Sequence, residues 1–243
     1  MITKELPHEI QKKAKLKVQT PLPISDWLSE LEGKRAKEFK RRTGLDYQTL
    51  LTQIIEVGDL YPGMQVLELA TGTGMIARHL VGLVGTDGKI IGVDSTTELV
   101  ERARLDAQSA KVGTRIEWRT APLNHLPFND KQFDLVICGL AFNQLEPTDI
   151  FREAYRILKS DSALLIAAEL APAAGLSDFI QKIRRQYYRY IKRNNEEANA
   201  HFYSSDELAE MLRGTGFRQI VIRGLKSKMG VTGRSFSLIR AVK

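Results

Sequence analysis

Two rhythms of apolar residues divide this chain. Between residues 65 and 168, short apolar runs alternate with stretches whose apolar positions recur every three or four residues. The runs Gln65–Leu69, Lys89–Val93, Arg115–Arg119, Phe133–Cys138 and Leu164–Ala168 predict buried strands. Gly72–Val84 predicts a loop running into a helix. Thr97–Ala110 predicts a helix with Leu99, Val100, Ala103, Leu105 and Ala107 as its apolar set, and Thr148–Leu158 predicts another. Strands spaced by helices imply an α/β fold with a mainly parallel, doubly wound sheet and right-handed crossovers.

Both flanks depart from that rhythm. Residues 1–20 are polar and Lys-rich and end at Pro21-Leu22-Pro23, which reads as an arm. Ser25–Arg42 and Tyr47–Val57 have helical spacing, and Tyr61-Pro62-Gly63 breaks the chain after them. Beyond the core, Ser177–Asn194 predicts a long basic-aromatic helix. Ser204 and Glu207 have capping-box spacing and open a helix to Leu212. Arg218–Gly224 and Ser235–Ala241 then predict two strands with no helix between them. A parallel crossover needs about a dozen residues or more, so this pair is expected to be antiparallel.

The 243 residues are 43% apolar and 27% charged, a globular balance that excludes global disorder. Cys138 is the only cysteine, so no internal disulfide forms, and no Cys/His cluster suggests zinc. No stretch approaches the roughly 18 apolar residues of a membrane span, and the N-terminus lacks an apolar signal core, so a cytoplasmic protein is expected. Charge is uneven. Residues 1–62 carry 11 basic and 9 acidic groups, residues 63–150 carry 8 and 11, and residues 151–243 carry 17 and 9. That last excess implies either an anionic partner (an acidic small molecule, a membrane surface or nucleic acid) or a solvated basic helix.

The chemistry concentrates in Val66-Leu67-Glu68-Leu69-Ala70-Thr71-Gly72-Thr73-Gly74. A strand runs into a small-residue turn and then a helix. Without side chains, Gly72 and Gly74 let a ligand approach the backbone, and a helix N-terminus offers N–H groups. Glu68 supplies the opposite sign, so the site suits a zwitterion with both carboxylate and ammonium. Asp94 ends the second strand, where an acid can accept from both ribose hydroxyls. Gly72-x-Gly74-x-x-Ala77 also satisfies the loose dinucleotide fingerprint. Glu68 would face a pyrophosphate unfavourably, however, and a terminal antiparallel pair is foreign to that fold.

Leu67–Gly74, Gly92-Val93-Asp94, Leu126-Pro127-Phe128, Phe133–Val136 and Arg152-Glu153-x-Tyr155-Arg156-x-Leu158-Lys159 together resemble the class I S-adenosylmethionine-dependent methyltransferases. The nearest likeness is to the branch of ubiquinone/menaquinone C-methyltransferases and related small-molecule enzymes. The resemblance implies a Rossmann-like seven-stranded sheet with the last strand antiparallel. It divides the chain into an arm and helical cap (1–62) and a methyltransferase domain (63–243) with a helical lid inserted at 175–203. It places Glu68 toward the methionine ammonium, Ala70, Thr71, Gly72, Thr73 and Gly74 beside the methionine part, Asp94 on the ribose and Ser95 against the adenine. Pro122 and Leu123 flank the adenine edge, and backbone at Cys138 and Gly139 borders the amino-acid end.

Three departures stand out. Ala70 replaces the first glycine of the loop, and Pro122 stands where an acid often meets the adenine amino group. Leu145-Glu146 replaces the Arg-Asn pair common in the quinone enzymes, which counts against quinone specificity. Methyl transfer from a sulfonium depends mainly on positioning and exclusion of water. No catalytic residue is assigned. Of the four histidines, His8 lies in the arm, and His79 and His125 read as structural. His201 is the best placed as a base. Tyr187, Arg189, His201 and Tyr203 are expected to wall an acidic or aromatic acceptor, with Asn143 and Gln144 donating from the opposite side. The expected activity is methyl transfer to a small-molecule acceptor. Peripheral membrane contact becomes relevant if that acceptor is lipid-soluble. A nucleic-acid or protein methyltransferase docking through the basic third is the alternative, but Gly139-Leu140-Ala141-Phe142 lacks the Asn/Asp-Pro-Pro-aromatic signature of nucleic-acid N-methylation. A non-catalytic nucleotide-binding protein is a more distant one.

Overall fold

A computed structural model describes residues 34–171, 200–225 and 235–243. The arm and the basic-aromatic helix, with Tyr187 and Arg189, lie outside the described residues. Two helices, α1 (Lys34–Thr43) and α2 (Tyr47–Gly58), precede the sheet. Asp46 caps α2: its carboxylate accepts from Thr49 N at 2.8 Å, and that bond holds its pKa below the ordinary value. Then follow β1 (Gln65–Leu69), α3 (Met75–Leu80), β2 (Lys89–Asp94), α4 (Thr97–Ser109), β3 (Ile116–Thr120), β4 (Phe133–Cys138), α5 (Pro147–Ile157), β5 (Leu158–Leu170), α6 (Ser205–Thr215), β6 (Arg218–Gly224) and β7 (Ser235–Val242).

The seven strands form one sheet in the order β3-β2-β1-β4-β5-β7-β6. The first five in sequence run parallel, while β7 runs antiparallel to both β5 and β6. The order reverses between β1 and β4, where open α/β sheets bind ligands beyond the strands' carboxyl ends.

Strand alternation divides the core between the two faces of the sheet. Val66, Ile90, Leu135 and Leu165 pack with α1 to α4 on one face, while Leu67, Ile91, Val136 and Leu164 pack with α5 and α6 on the other. The N-terminal helices are part of this core. Phe39 stacks on Tyr47 at 4.9 Å and meets Phe236 of β7 edge-on at 5.4 Å. At α6 the capping box forms as the spacing implied: Ser204 Oγ accepts from Glu207 N at 3.3 Å, and Glu207 Oε2 accepts from Ser204 N at 2.7 Å.

Three expectations change. Leu105 is 57% exposed, because it lies about 140–160° around α4 from each of the buried Val100, Ala103 and Ala107. β5 starts at Leu158 rather than Leu164: its polar first turn is held by Phe133 and by Lys243, whose N–H donates to Ser162 O at 2.9 Å. α6 continues through Gly214 and ends at Gly216, which takes the left-handed conformation of a C-cap (φ 111°).

Candidate active site

The loop between β1 and α3 is shaped by left-handed residues. Ala70, Gly72 and Gly74 have φ of 51°, 55° and 73°. Thr71 N donates to Val93 O at 2.9 Å and Gly74 N to Thr71 O at 2.8 Å, which folds the loop back over the ends of β1 and β2. Glycine at 74 answers a close approach as well as a positive φ, since a Cβ there would lie 2.1 Å from Trp118 Cη2. The indole also covers Gly92, and its Nε1–H is buried without a hydrogen-bond partner among the described residues.

Glu68 is 3% exposed and points to the α3 face. Its Oε2 accepts from Thr71 Oγ1 at 2.6 Å and from Ala77 N at 2.9 Å. The sequence led us to expect α3 to offer its N–H groups outward, but the one at Ala77 is turned inward to this carboxylate. Burial pushes the Glu68 pKa up to about 7 against the pull of both hydrogen bonds and, more weakly, of Arg78. The Cys138 thiol is pushed up to about 12 by burial and by Glu68, and stays neutral. Asp94, 6% exposed, ties β2 to the loop: Oδ2 accepts from Gly72 N at 2.9 Å and Oδ1 from Thr96 N at 3.0 Å. Each oxygen keeps a second lone pair. Ser95 beside it is exposed.

Arg78 carried no role in the sequence reading. Its guanidinium donates to Thr73 O and pairs with Asp106 of α4 at 3.7 Å, anchoring the loop from below. The available signal was a charged residue four positions after Gly74, following the apolar Met75-Ile76-Ala77. His79, expected to be structural, has its pKa lowered to about 4 by burial and by Arg78.

The turn after β3 places Pro122 exposed and Leu123 half-buried beside the end of β2, with Ala121 N donating to Asp94 O at 3.0 Å. A hub on α5 holds this turn. Glu153 Oε2 accepts from Leu126 N at 2.7 Å. Arg156 donates to Glu153, to the carbonyls of Leu126 and Phe128 at 3.0 and 2.7 Å, and to Asp130 at 2.8 Å. On the other side of β1, Cys138 ends β4 and Gly139 follows it, and Ile76 of α3 packs so closely on Gly139 that a Cβ would sit 2.6 Å away.

The acceptor side is built differently from the expectation. Asn143 does not present a free amide. Its Nδ2 donates to Glu169 O at 2.9 Å and to His201 O at 2.8 Å, and its Oδ1 accepts from Glu169 N at 2.9 Å. Gln144 is exposed. The exposed His201 and half-buried Tyr203 hold their rings 6.5 Å apart and 19° from parallel. Burial, then Glu146 and Glu207, raises the Tyr203 pKa above the ordinary phenol value.

The residues fit an adenosine-bearing zwitterion. Among the described residues a Cβ built at Gly72 meets no atom within 4 Å, and two buried carboxylates are tied to this loop, Asp94 at Gly72 and Glu68 at Thr71. The Methyltransferase domain family matches residues 67–166. The ubiquinone/menaquinone biosynthesis C-methyltransferase UbiE of Desulfotalea psychrophila is 30% identical over 179 residues, 68% of this chain and 69% of that protein. A 2-phytyl-1,4-naphtoquinone methyltransferase of a Nostoc species is 37% identical over 108 residues, 43% of this chain and 46% of that one. In fold, an Aquifex aeolicus SAM-dependent methyltransferase superposes with a TM-score of 0.62 at 19% identity, covering 88% of this chain and 98% of its own.

The chain belongs to the class I S-adenosylmethionine-dependent methyltransferases, in the branch of the ubiquinone/menaquinone C-methyltransferases. It is an enzyme that takes a methyl group from S-adenosylmethionine to a small-molecule acceptor.

Proposed function

We propose that the acceptor is a quinone-type ring in its reduced form, methylated on a ring carbon. The observation that carries this is the 30% identity shared with the UbiE protein over two thirds of both chains. The match to the phytyl-naphtoquinone enzyme supports it. Bound S-adenosylmethionine supplies an electrophilic methyl group on a sulfonium. In our reading Glu68 sets the negative charge for the ammonium, directly or through one water, and the backbone from Ala70 to Gly74 lies along the methionine part. Asp94 accepts from the ribose hydroxyls through its remaining lone pairs, Ser95 lies against the adenine, Pro122 and Leu123 close its edge, and the Cys138–Gly139 backbone borders the amino-acid end.

His201 and Tyr203 give the acceptor a flat wall. Leu145 and Glu146 stand where the resemblance implies Arg-Asn, so the ring's oxygens meet different polar groups here than in the quinone enzymes. We also infer peripheral contact with an anionic membrane surface from the cytoplasmic side, supported by the 17 basic against 9 acidic groups in residues 151–243. Among the described residues no helix is long and apolar enough to cross a membrane.

The test uses the purified protein, methyl-labelled S-adenosylmethionine and a reduced 2-prenyl-1,4-naphthoquinone, with a prenylated benzoquinol and a phenolic acid in parallel. Label in either quinol is the expected result. Label in the phenolic acid alone would overturn the quinone reading while leaving the enzyme class intact.

A further inference from the structure

β4 pairs with β5 as far as Cys138 and Ile166, then turns away at Gly139. Three residues further along β5, on the side away from β7, Glu169 meets the side chain of Asn143 where β4 would have been. The Asn143 amide accepts from Glu169 N and donates to Glu169 O, both at 2.9 Å. A peptide group of a neighbouring strand would make the same two bonds, so the amide extends the ladder where β4 has left it.

The remaining side-chain amide hydrogen donates to His201 O at 2.8 Å, and the main-chain carbonyl of Asn143 accepts from His201 N at 2.6 Å. Next to it, Ala171 N donates to Tyr203 O at 2.8 Å. Residues 169–171 enter the insertion and residues 201–203 leave it. One asparagine therefore ties both stems together, directly behind the backbone that borders the cofactor's amino-acid end.

We infer that Asn143 is a positioning residue: it closes the base of the insertion between residues 171 and 201 and thereby holds His201 and Tyr203 against the acceptor. This rests on the acceptor-side reading given above. All three of its polar side-chain functions (two N–H donors and the carbonyl) are used within the protein, so it acts through the stems and touches no reacting atom. Aspartate is nearly isosteric but, when ionised, points oxygen at two carbonyls, and both donors are lost. Facing those carbonyls, its carboxyl takes up a proton above the ordinary value of about 3.9, and the protonated form restores one donor.

The experiment compares the wild type, Asn143→Asp and Asn143→Ala. In both variants at pH 8, the amides of Glu169 and His201 should exchange hydrogen at least about tenfold faster, while those of β1 and β2 keep their protection. Affinity for S-adenosylhomocysteine should stay within about twofold. KM for the reduced 2-prenyl-1,4-naphthoquinone should rise about tenfold or more with kcat changed far less. Moving from pH 8 to pH 6, the aspartate variant should recover part of its KM relative to wild type and the alanine variant none.

Unchanged exchange at Glu169 and His201 would overturn the inference, and so would faster exchange with an unaltered KM. If the wild type does not methylate the naphthoquinol, the quinone reading alone fails. The clamp then stands or falls on the exchange of those two amides.

Discussion

The glycine-loop corner and the α5 corner each bury a glutamate, and the two glutamates titrate in opposite directions. Glu68 is 3% exposed and Glu153 6%. Each accepts a backbone N–H, from Ala77 and from Leu126. Yet burial pushes Glu68 up to about 7, while hydrogen bonds from Arg156 hold Glu153 below the ordinary carboxylate value. The cation makes the difference. Arg156 grips Glu153 with Nε and Nη2 at 3.0 and 2.8 Å. Arg78 directs its guanidinium to Thr73 O and Asp106, and its pull on Glu68 is weaker than that of either hydrogen bond. One corner is a finished lock. The other leaves a carboxylate under-compensated beneath the glycine loop, which is how a protein keeps an acid ready for a cationic ligand.

Breaking the lock should have the largest effect. Arg156→Met strands the buried Glu153 carboxylate and frees two carbonyls of the turn. Removing one member of a buried pair costs about 3–5 kcal/mol, and the 30% exposure of the Arg156 side chain puts this case near 3. For a chain of this size that is a melting point lower by roughly 6–12 °C, read by calorimetry. A loss under about 1 kcal/mol would mean that the α5 corner does not hold the turn.

Neutralising the other glutamate should leave the melting point level or higher and act on the ligand instead. In Glu68→Gln, affinity for S-adenosylhomocysteine should fall about 10- to 100-fold, the worth of a charged hydrogen bond of roughly 1.5–3 kcal/mol. The pH dependence sharpens the contrast. A raised acid favours the folded state below its unfolded value of 4.5, and that contribution is lost as pH rises through about 7. A bound ammonium pulls the group back toward ionisation, so between about pH 5 and 7 binding should release up to about one proton, falling to none by about pH 8.5. Calorimetric titration in buffers of different ionisation enthalpy measures it. Release that persists unchanged in Glu68→Gln would assign the proton to another group.

The smallest effect concerns Ala70, held at φ 51° where the family loop carries glycine. Ala70→Gly relieves about 1–2 kcal/mol of left-handed strain and costs about 0.4–1 kcal/mol in unfolded-chain entropy, a net gain of about 0.8 kcal/mol. Urea unfolding should show it, with ligand affinity held within about twofold.

What the sequence made legible was whatever depends on local spacing. Strand alternation, the Ser204–Glu207 box and the short link before Ser235 specify the sheet, a cap and the antiparallel pair. Glu68 and Asp94 announce themselves because an acid at the end of an apolar strand has no packing reason to be there. The long-range partners were illegible. Asn143 and Glu169 are 26 positions apart and Arg156 and Leu126 30, so no periodicity links them. Asn143 read as a donor for the acceptor because a polar residue after β4 carries that meaning locally, whereas its hydrogens are taken by the carbonyls of Glu169 in β5 and of His201, which only the fold brings near. Leu105 misled for the opposite reason: its apolarity was plain, and only its angle around α4 put it in water.

The seat of Trp118 has an optical consequence. Its indole lies tight against Gly74 and Gly92, and its buried N–H meets no acceptor among the described residues. An indole so shielded fluoresces at short wavelength, and any shift of the loop against the ring brings water or a quenching carbonyl to it. The chain has one other tryptophan, Trp27. In a Trp27→Phe background the emission of the unlabelled protein would therefore follow the seating of the loop in real time, giving the rate of cofactor entry without a turnover assay.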